Sequence, residues 1–214
     1  MIISPKLYAE TELKGKPSKE IMKRIRLMRR EIRDLKKELE ENIRPTDEMF
    51  PGRLQRIRWN RECIALARKA AEETGEACPL TKAEQRDLAF NASLQDLKKV
   101  TFEYSGYAIG IEKVICTLMG KKVVFRYESL FNRKHADHEP VDREEFIDDI
   151  AHLHIGEWKR RYSDPMIKDG ITWQLKFEYE GDMKPVHIHG YNSFPYNYDG
   201  LLDLLGIDPE GDRL

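Results

Sequence analysis

An apolar seam runs through residues 18–41 and is the most regular pattern in the chain. Its members recur at alternating spacings of four and three residues, a repeat that places side chains on one face of an α-helix. They are Ile21, Ile25, Met28, Ile32, Leu35 and Leu39. Pro17 and Ser18 stand where such a helix would begin, and the Ser18 hydroxyl can cap its first turn. The seam therefore predicts a long helix that packs on one side.

A second apolar stripe occupies residues 53–74 and ends at Gly75, which can adopt the left-handed conformation of a helix C-terminus. Its members are Leu54, Ile57, Ile64 and Ala71. Pro45 and Pro51 interrupt the chain between the two stripes, because proline cannot continue a helix. Two amphipathic helices with a short loop between them predict an antiparallel helical hairpin. The seam also suits a coiled coil, so a homodimer paired through the first helix is the alternative.

The period of the pattern changes after residue 81. Thr81 with Glu84, and Asp142 with Glu145, resemble capping boxes and predict two helices. The second of these is predicted to run toward Trp158. Alternation of apolar and polar positions predicts five strands, near residues 100–104, 111–119, 123–127, 172–179 and 186–188. A short terminal helix over residues 201–205 stops at a glycine. From residue 99 onward the predicted order is βββαββα.

These patterns together predict a mixed α+β protein with two domains. Residues 1–75 form the helical hairpin, and residues 76–214 form an antiparallel βββαββα domain. Gly75 and Pro79 mark the connection between them. We expect most of the apolar positions of each domain to be buried within that domain.

Charge is distributed unevenly between the predicted domains. The whole chain has a formal net charge of −1. Residues 1–75 nevertheless hold 19 basic and 13 acidic residues, a net of +6, which leaves a net of −7 for residues 76–214. A basic segment of this kind is typical of proteins that bind an acidic partner.

The basic residues of the two predicted helices are the candidate binding site. Lysine and arginine neutralise phosphates, and the planar arginine side chain also binds them in a bidentate manner. We therefore predict a partner that is nucleic acid or a nucleoprotein complex. The alternatives are that these charges form a solvated face, or that the basic and acidic halves neutralise each other. The candidate residues are Arg24, Arg26, Arg29, Arg30, Arg33, Lys37, Arg53, Arg56, Arg58 and Arg61.

Histidine and aspartate groups of the second half offer a competing hypothesis, a metal-dependent hydrolase or nuclease. His187 and His189 are two residues apart on a predicted strand and so share one face. Further potential ligands lie in the loop of residues 135–139 and around His152, whose ring Asp148 or Asp149 could orient from one helical turn away.

No sequence motif supports catalysis. The chain has no H-E-x-x-H metal motif, no G-x-S-x-G nucleophile turn and no phosphate-binding glycine loop. We therefore predict no catalytic residue, no metal and no cofactor, and a non-enzymatic interaction protein.

The sequence also gives no sign of a membrane segment. It has no run of about eighteen apolar residues, and its first residues lack a signal-peptide core. We therefore expect a cytoplasmic protein with no membrane partner.

Three short motifs resemble a family of uncharacterised bacterial proteins often found on mobile genetic elements. The resemblance implies a role in plasmid, phage or transposon biology, and it suggests an inhibitor of a host defence nuclease, similar to an anti-CRISPR protein. The residues themselves suit packing and turns, so we expect them to be mainly architectural. The motifs are Glu10-Thr11-Glu12-Leu13-Lys14-Gly15-Lys16, Leu153-His154-Ile155-Gly156-Glu157-Trp158, and the C-terminal set Asp169-Gly170-x-x-Trp173, Gly190-Tyr191-Asn192-x-Phe194-Pro195-x-Asn197-Tyr198-Asp199 and Leu201-Leu202-x-Leu204-Leu205-Gly206.

Overall fold

The structure, a computed structural model, describes residues 3–41, 50–106, 110–129, 139–164, 166 and 170–207. The chain divides into two compact units, Met1–Leu80 and Thr81–Leu214. The first is helical, and the second holds a seven-stranded sheet with helices. The predicted α+β class is confirmed.

The described residues of the first unit form three helices and a π-helical turn. The helices are α1 (Pro5–Tyr8), α2 (Ser18–Glu40) and α3 (Arg53–Glu73), and the π-helical turn is Ala9–Leu13. Most of the α2 seam is buried, with Ile25 fully inaccessible, and it packs with Ile64 and Ala71 of α3 and with Leu13. Leu54, predicted to belong to the apolar stripe of α3, is instead 47% exposed in the first turn of that helix, so its predicted burial is wrong. Burial of each such side chain contributes roughly 1.5–3 kcal/mol, so this shared core holds the unit together.

Two contacts show the relative direction of the long helices α2 and α3. The Ser18 Oγ atom at the start of α2 lies 2.6 Å from Thr74 Oγ1, just after the end of α3. Glu31, in the second half of α2, forms an ion pair with Arg56 in the first turn of α3. The helices therefore run in opposite directions. The predicted bend at Pro45 falls within residues 42–49, outside the described residues.

The predicted capping role of Ser18 is wrong. Pro17 occupies the N-cap position, no side chain caps the first turn, and Ser18 is the first helical residue. Its hydroxyl instead contacts Thr74, a contact that no local sequence pattern encodes.

The second unit is built on one sheet with the strand order β4-β3-β2-β1-β6-β7-β5. Neighbouring strands are antiparallel, except that β5 is parallel to β7. The strands are β1 (Leu97–Gly106), β2 (Gly110–Met119), β3 (Lys122–Ser129), β4 (Val141–Asp142), β5 (Arg161–Ser163), β6 (Thr172–Tyr179) and β7 (Val186–Tyr191). The helices are α4 (Lys82–Ser93), α5 (Arg143–His152) and α6 (Tyr198–Leu204).

The sheet contains two strands that the sequence did not predict, β4 and β5. They are two and three residues long, and segments this short cannot display an alternating pattern. Because β5 is parallel to β7, the predicted purely antiparallel arrangement is too simple. Helix α5 also ends at His152, before Trp158, because His154 adopts a left-handed backbone with φ 51°.

Helices α4, α5 and α6 pack against one face of the sheet. Each contributes an aromatic contact to a strand residue of that face: Phe90 with Phe177, Phe146 with Phe125, and Tyr198 with Phe102. The opposite face carries polar side chains that are partly or fully exposed, among them Lys99, Thr101, Glu103, Lys113, Gln174, Lys176, Glu178, His187 and His189. The apolar core of the unit therefore lies between the sheet and these helices.

The C-terminal motif surrounds a buried tryptophan. Trp173 is 1% exposed and donates its indole N–H to the Ser193 carbonyl oxygen over 3.0 Å. Its ring contacts the rings of Tyr162, Phe194 and Tyr198 at centroid distances of 5.8, 6.4 and 5.3 Å. This network places much of the motif in one aromatic cluster.

Two glycines of the same motif are required by close approach. A Cβ atom on Gly190 would overlap the indole of Trp173, and one on Gly170 would overlap the side chain of Asn192. Asn192 itself is buried and has a positive φ of 53°. These contacts support the architectural role expected for the motif, except at Asp169, which lies outside the described residues.

Candidate nucleic-acid interface

The exposed face of α2 is mostly basic. Eight residues of this helix are exposed, and six of them are lysine or arginine. The two others are Leu27 and Glu38. We call the six cations the basic stripe; they are Lys19, Lys23, Arg26, Arg30, Arg33 and Lys37.

The geometry of a helix places the basic stripe directly opposite the apolar seam. Each of its residues lies two positions before a seam residue, as Lys19 precedes Ile21 and Lys37 precedes Leu39. Since successive residues turn by about 100°, an offset of two corresponds to about 200° around the axis. The stripe spans 18 residue steps, or about 27 Å at 1.5 Å per residue. Burial of the seam thus directs six cations toward solvent along a straight line.

The stripe forms only weak ion pairs within the described residues. Asp34 accepts from Arg33 at 3.0 Å and lies 3.6 Å from Arg30, and Glu41 lies 3.5 Å from Lys37. These three basic side chains remain 71–73% exposed. Exposed pairs contribute only about 0.2–1 kcal/mol and are screened by salt. A ligand that carries several closely spaced anionic groups can therefore displace these intramolecular ion pairs.

Two of the predicted binding residues on α2 instead serve the packing of their own unit. The Arg24 Nη2 atom lies 2.7 Å from Glu12 Oε2, which fastens the π-helical turn to α2. A hydrogen bond with Tyr8 raises the pKa of Arg24, burial lowers it, and the hydrogen bond with Glu12 raises it further. Arg29 donates to the Pro79 carbonyl oxygen over 2.9 Å and so holds the segment that follows α3.

The predicted binding residues of α3 do not extend the stripe. Arg53 is only 9% exposed, Arg56 is paired with Glu31, Arg61 is partly buried, and Arg58 is exposed. The exposed positions of α3 mix both signs of charge, with Arg58, Glu62, Lys69 and Glu72. The structure therefore concentrates the basic surface on α2.

Lys19 and Lys23 belong to the stripe and are missing from the predicted set. The constant offset of two residues from the apolar seam is the signal that identifies them, because it selects the face opposite the core. Counting charge over both helices together hides this distinction between exposed and packed cations.

Trp59, on α3, takes part in packing. Its Nε1 atom donates to the Ile3 carbonyl oxygen over 2.7 Å. Its ring meets the ring of Tyr8 edge-on, with centroids 5.4 Å apart. The residue thus anchors the N-terminal segment to α3.

The four histidines in the described part of the chain occupy three different environments. His187 and His189 are exposed beside each other on the polar face of the sheet, at the edge of a concavity of about 330 Å³. The ring Nδ1 of His152 lies 2.7 Å from the backbone oxygen of Asp148, so the predicted orientation by a carboxylate is wrong. His154 Nδ1 lies 2.6 Å from a carboxylate oxygen of the buried Asp87, 67 residues away.

Within the described residues, no group of three or more His, Cys, Asp or Glu side chains is arranged to hold a metal ion. Positions 135–138 of the candidate ligand loop lie outside that part of the chain. The metal-dependent hydrolase therefore stays a prediction, and the described residues offer no metal site that would support it.

Glu178, on the polar face of the sheet, provides a pH-dependent contact. Hydrogen bonding to Lys99, 2.7 Å away, lowers the pKa of its carboxyl group, and Lys176 at 2.9 Å adds to this effect. A depressed pKa in the folded state stabilises the fold above the ordinary value of 4.5, and this stabilisation is lost as the pH falls through the folded value.

We expect Glu178→Gln to lower the free energy of unfolding at pH 7 by about 0.5–1 kcal/mol. The difference from the wild type should shrink as the pH falls from 5 to 2, as measured by urea unfolding at each pH. Glu180→Gln is the matched control, because Glu180 is 66% exposed and 4.0 Å from Lys98. A difference that stays constant down to pH 2 would contradict the assignment.

Comparison of the chain with protein-family models, with curated proteins and with solved structures gives no match. The resemblance to mobile-element proteins therefore stays a prediction from the three motifs. Among the described helices, none is both long and apolar enough to cross a membrane.

Proposed function

We propose that the chain is a non-enzymatic protein whose first unit, an antiparallel helical hairpin, binds nucleic acid or a nucleoprotein through the basic stripe. The observation that carries the proposal is the composition of the exposed face of α2, where six of eight positions are cationic. A face that is only solvated needs no such bias, and α3 in the same unit shows a mixture of signs. Phosphate groups are the anions that match a long row of lysine and arginine.

The size of the stripe sets the expected salt dependence. Each cation that neutralises a phosphate of a duplex releases bound counterions, and it contributes about −0.9 to the slope of log K against log salt concentration. Six contacts give a slope of about −5, which corresponds to a loss of about 1,000-fold in affinity between 50 and 200 mM salt. Binding through hydrogen bonds or apolar contacts alone would not show this slope.

Charge reversal on the stripe tests the proposal. In the variant R26E/R30E/R33E, affinity for a fluorescently labelled 24-base-pair DNA at 0.1 M salt should fall by about 500-fold or more. Each of the three lost contacts contributes about 0.9 log units per decade of salt, and 0.1 M lies one decade below 1 M, where the two affinities should converge. The salt slope should become less steep by about 3. Fluorescence anisotropy over a series of salt concentrations measures both quantities, and circular dichroism confirms that the helices persist.

A second triple variant controls for net charge. K14E/R58E/K69E changes the charge of the unit by the same amount, at exposed positions outside the stripe. It should weaken binding by less than about tenfold, because only long-range electrostatics are altered. Equal losses in the two variants, or wild-type binding that is insensitive to salt, would refute the proposed site.

A further inference from the structure

We infer that the basic stripe selects the phosphate backbone of a duplex over a single strand, an inference that rests on the nucleic-acid binding proposed above. Proteins that hold single strands combine positive charge with aromatic side chains on which the bases stack. Helix α2 contains no aromatic residue. Of the nearby aromatic rings, Tyr8 is buried and Trp59 is engaged with it.

Phe50 is the one strongly exposed aromatic residue in the described part of the first unit, at 87% exposure. It lies three residues before α3 and is not on α2. A single ring away from the stripe does not form a row of stacking positions. The exposed face of α2 therefore offers positive charge to bind phosphates, but it offers no row of aromatic rings on which bases can stack.

The exposed side chains of α2 also lack the groups that distinguish adenine from other bases. Asparagine and glutamine make the bidentate contacts to adenine, and neither occurs among the eight exposed positions. The two residues outside the stripe, Leu27 and Glu38, do not replace them. We therefore expect no bidentate contacts to adenine from this face of α2.

The shape of the stripe fits a stiff ligand. Its cations lie along about 27 Å of a straight helix, a distance that spans about eight base pairs of duplex DNA at 3.4 Å per step. A duplex is straight over this distance, since its persistence length is about 500 Å. A single strand has to be ordered along the helix before it makes the same contacts, and no stacking offsets that cost.

Counterion release gives the expected size of the preference. Each contact contributes about 0.9 log units per decade of salt on a duplex and about 0.7 on a single strand. For six contacts the difference is about 1.2 log units per decade. If the two affinities converge near 1 M salt, the duplex should bind about 15-fold more tightly at 0.1 M salt.

The experiment compares one 24-nucleotide sequence in four forms: duplex DNA, duplex RNA, single-stranded DNA and single-stranded RNA. Anisotropy titrations of the full chain at several salt concentrations should show duplexes bound about 15-fold more tightly at 0.1 M, with the gap closing toward 1 M. A comparison of duplex DNA with duplex RNA shows whether the geometry of the nucleic-acid duplex affects affinity in addition to its phosphate charge. A preference for either duplex over its own strands supports the inference.

Two variants make the test specific. Neutralisation of three stripe residues in R26Q/R30Q/R33Q should reduce the duplex preference to about fourfold, because three contacts remain. Phe50→Ala should leave single-strand affinity unchanged, whereas a tenfold loss would indicate that stacking contributes and would overturn the inference. Single strands bound as tightly as duplexes would overturn it as well, while leaving nucleic-acid binding intact. A failure of every form to bind would refute the proposed function itself.

Discussion

Replacement of Gly156 by alanine is expected to lower the free energy of unfolding of the second unit by about 3 kcal/mol. The new Cβ atom would lie 2.7 Å from the Arg86 carbonyl oxygen and 2.9 Å from the Asp87 backbone nitrogen, and closer still to the Asp87 Cα atom. These are backbone atoms of α4, which cannot rotate away as a side chain can. The turn that holds Gly156 would have to separate from α4, and the contact between His154 and Asp87 would be strained.

Gly200→Ala is the matched control for this prediction. Gly200 lies in α6, and its new Cβ atom would meet only the Leu153 Cδ2 atom, at 3.1 Å. Alanine stabilises a helix by up to about 1 kcal/mol relative to glycine, so this variant should be neutral or slightly stabilising. Urea unfolding followed by tryptophan fluorescence compares the two variants. Equal destabilisation would show that the packing of Gly156 against α4 is unimportant.

Removal of the buried tryptophan should have an effect at least as large. Trp173→Ala is expected to destabilise the second unit by about 3–5 kcal/mol, because it removes a ring that is 1% exposed and leaves a cavity. Trp173→Phe preserves an aromatic ring and deprives the Ser193 carbonyl of its indole donor, so a smaller loss of about 1–3 kcal/mol is expected. Chemical denaturation followed by far-ultraviolet circular dichroism measures both.

A double-mutant cycle tests the packing of this cluster directly. Gly190→Ala alone should destabilise the protein, because its Cβ atom would overlap the Trp173 indole and approach the Ser193 oxygen to 2.7 Å. In the background of Trp173→Ala the indole is absent, so the added methyl group should cost less. Additive effects would contradict the close approach of the two residues, since residues in direct contact are expected to couple.

In the second unit, the sequence predicted the individual elements but not the contacts between distant segments. Periodicity correctly indicated the long helices and the five longer strands, because each of these elements is long enough for its pattern of apolar and polar residues to repeat several times. The pairing of His154 with Asp87 and the approach of Gly156 to α4 join segments about 70 residues apart, and neither segment carries a local pattern for the contact. Such contacts depend on how whole elements pack.

For the candidate site, the sequence identified basic residues on both long helices but did not separate the exposed ones from the packed ones. Arg24 and Arg53 look like their neighbours in sequence, yet one is fixed by Glu12 and the other is buried. Charge alone cannot separate a packed arginine from an exposed one. The position of each residue relative to the apolar seam makes that separation for most of α2, and it also selects Lys19 and Lys23.

The basic stripe also determines how the protein should behave in bulk solution. The sequence isoelectric point is about 6.6, so near neutral pH molecules carry little net charge with which to repel one another. A row of cations on one surface and an excess of acidic residues in the second unit then favour attraction between molecules at low ionic strength. Moderate salt should therefore increase the solubility of the protein while it weakens binding to nucleic acid.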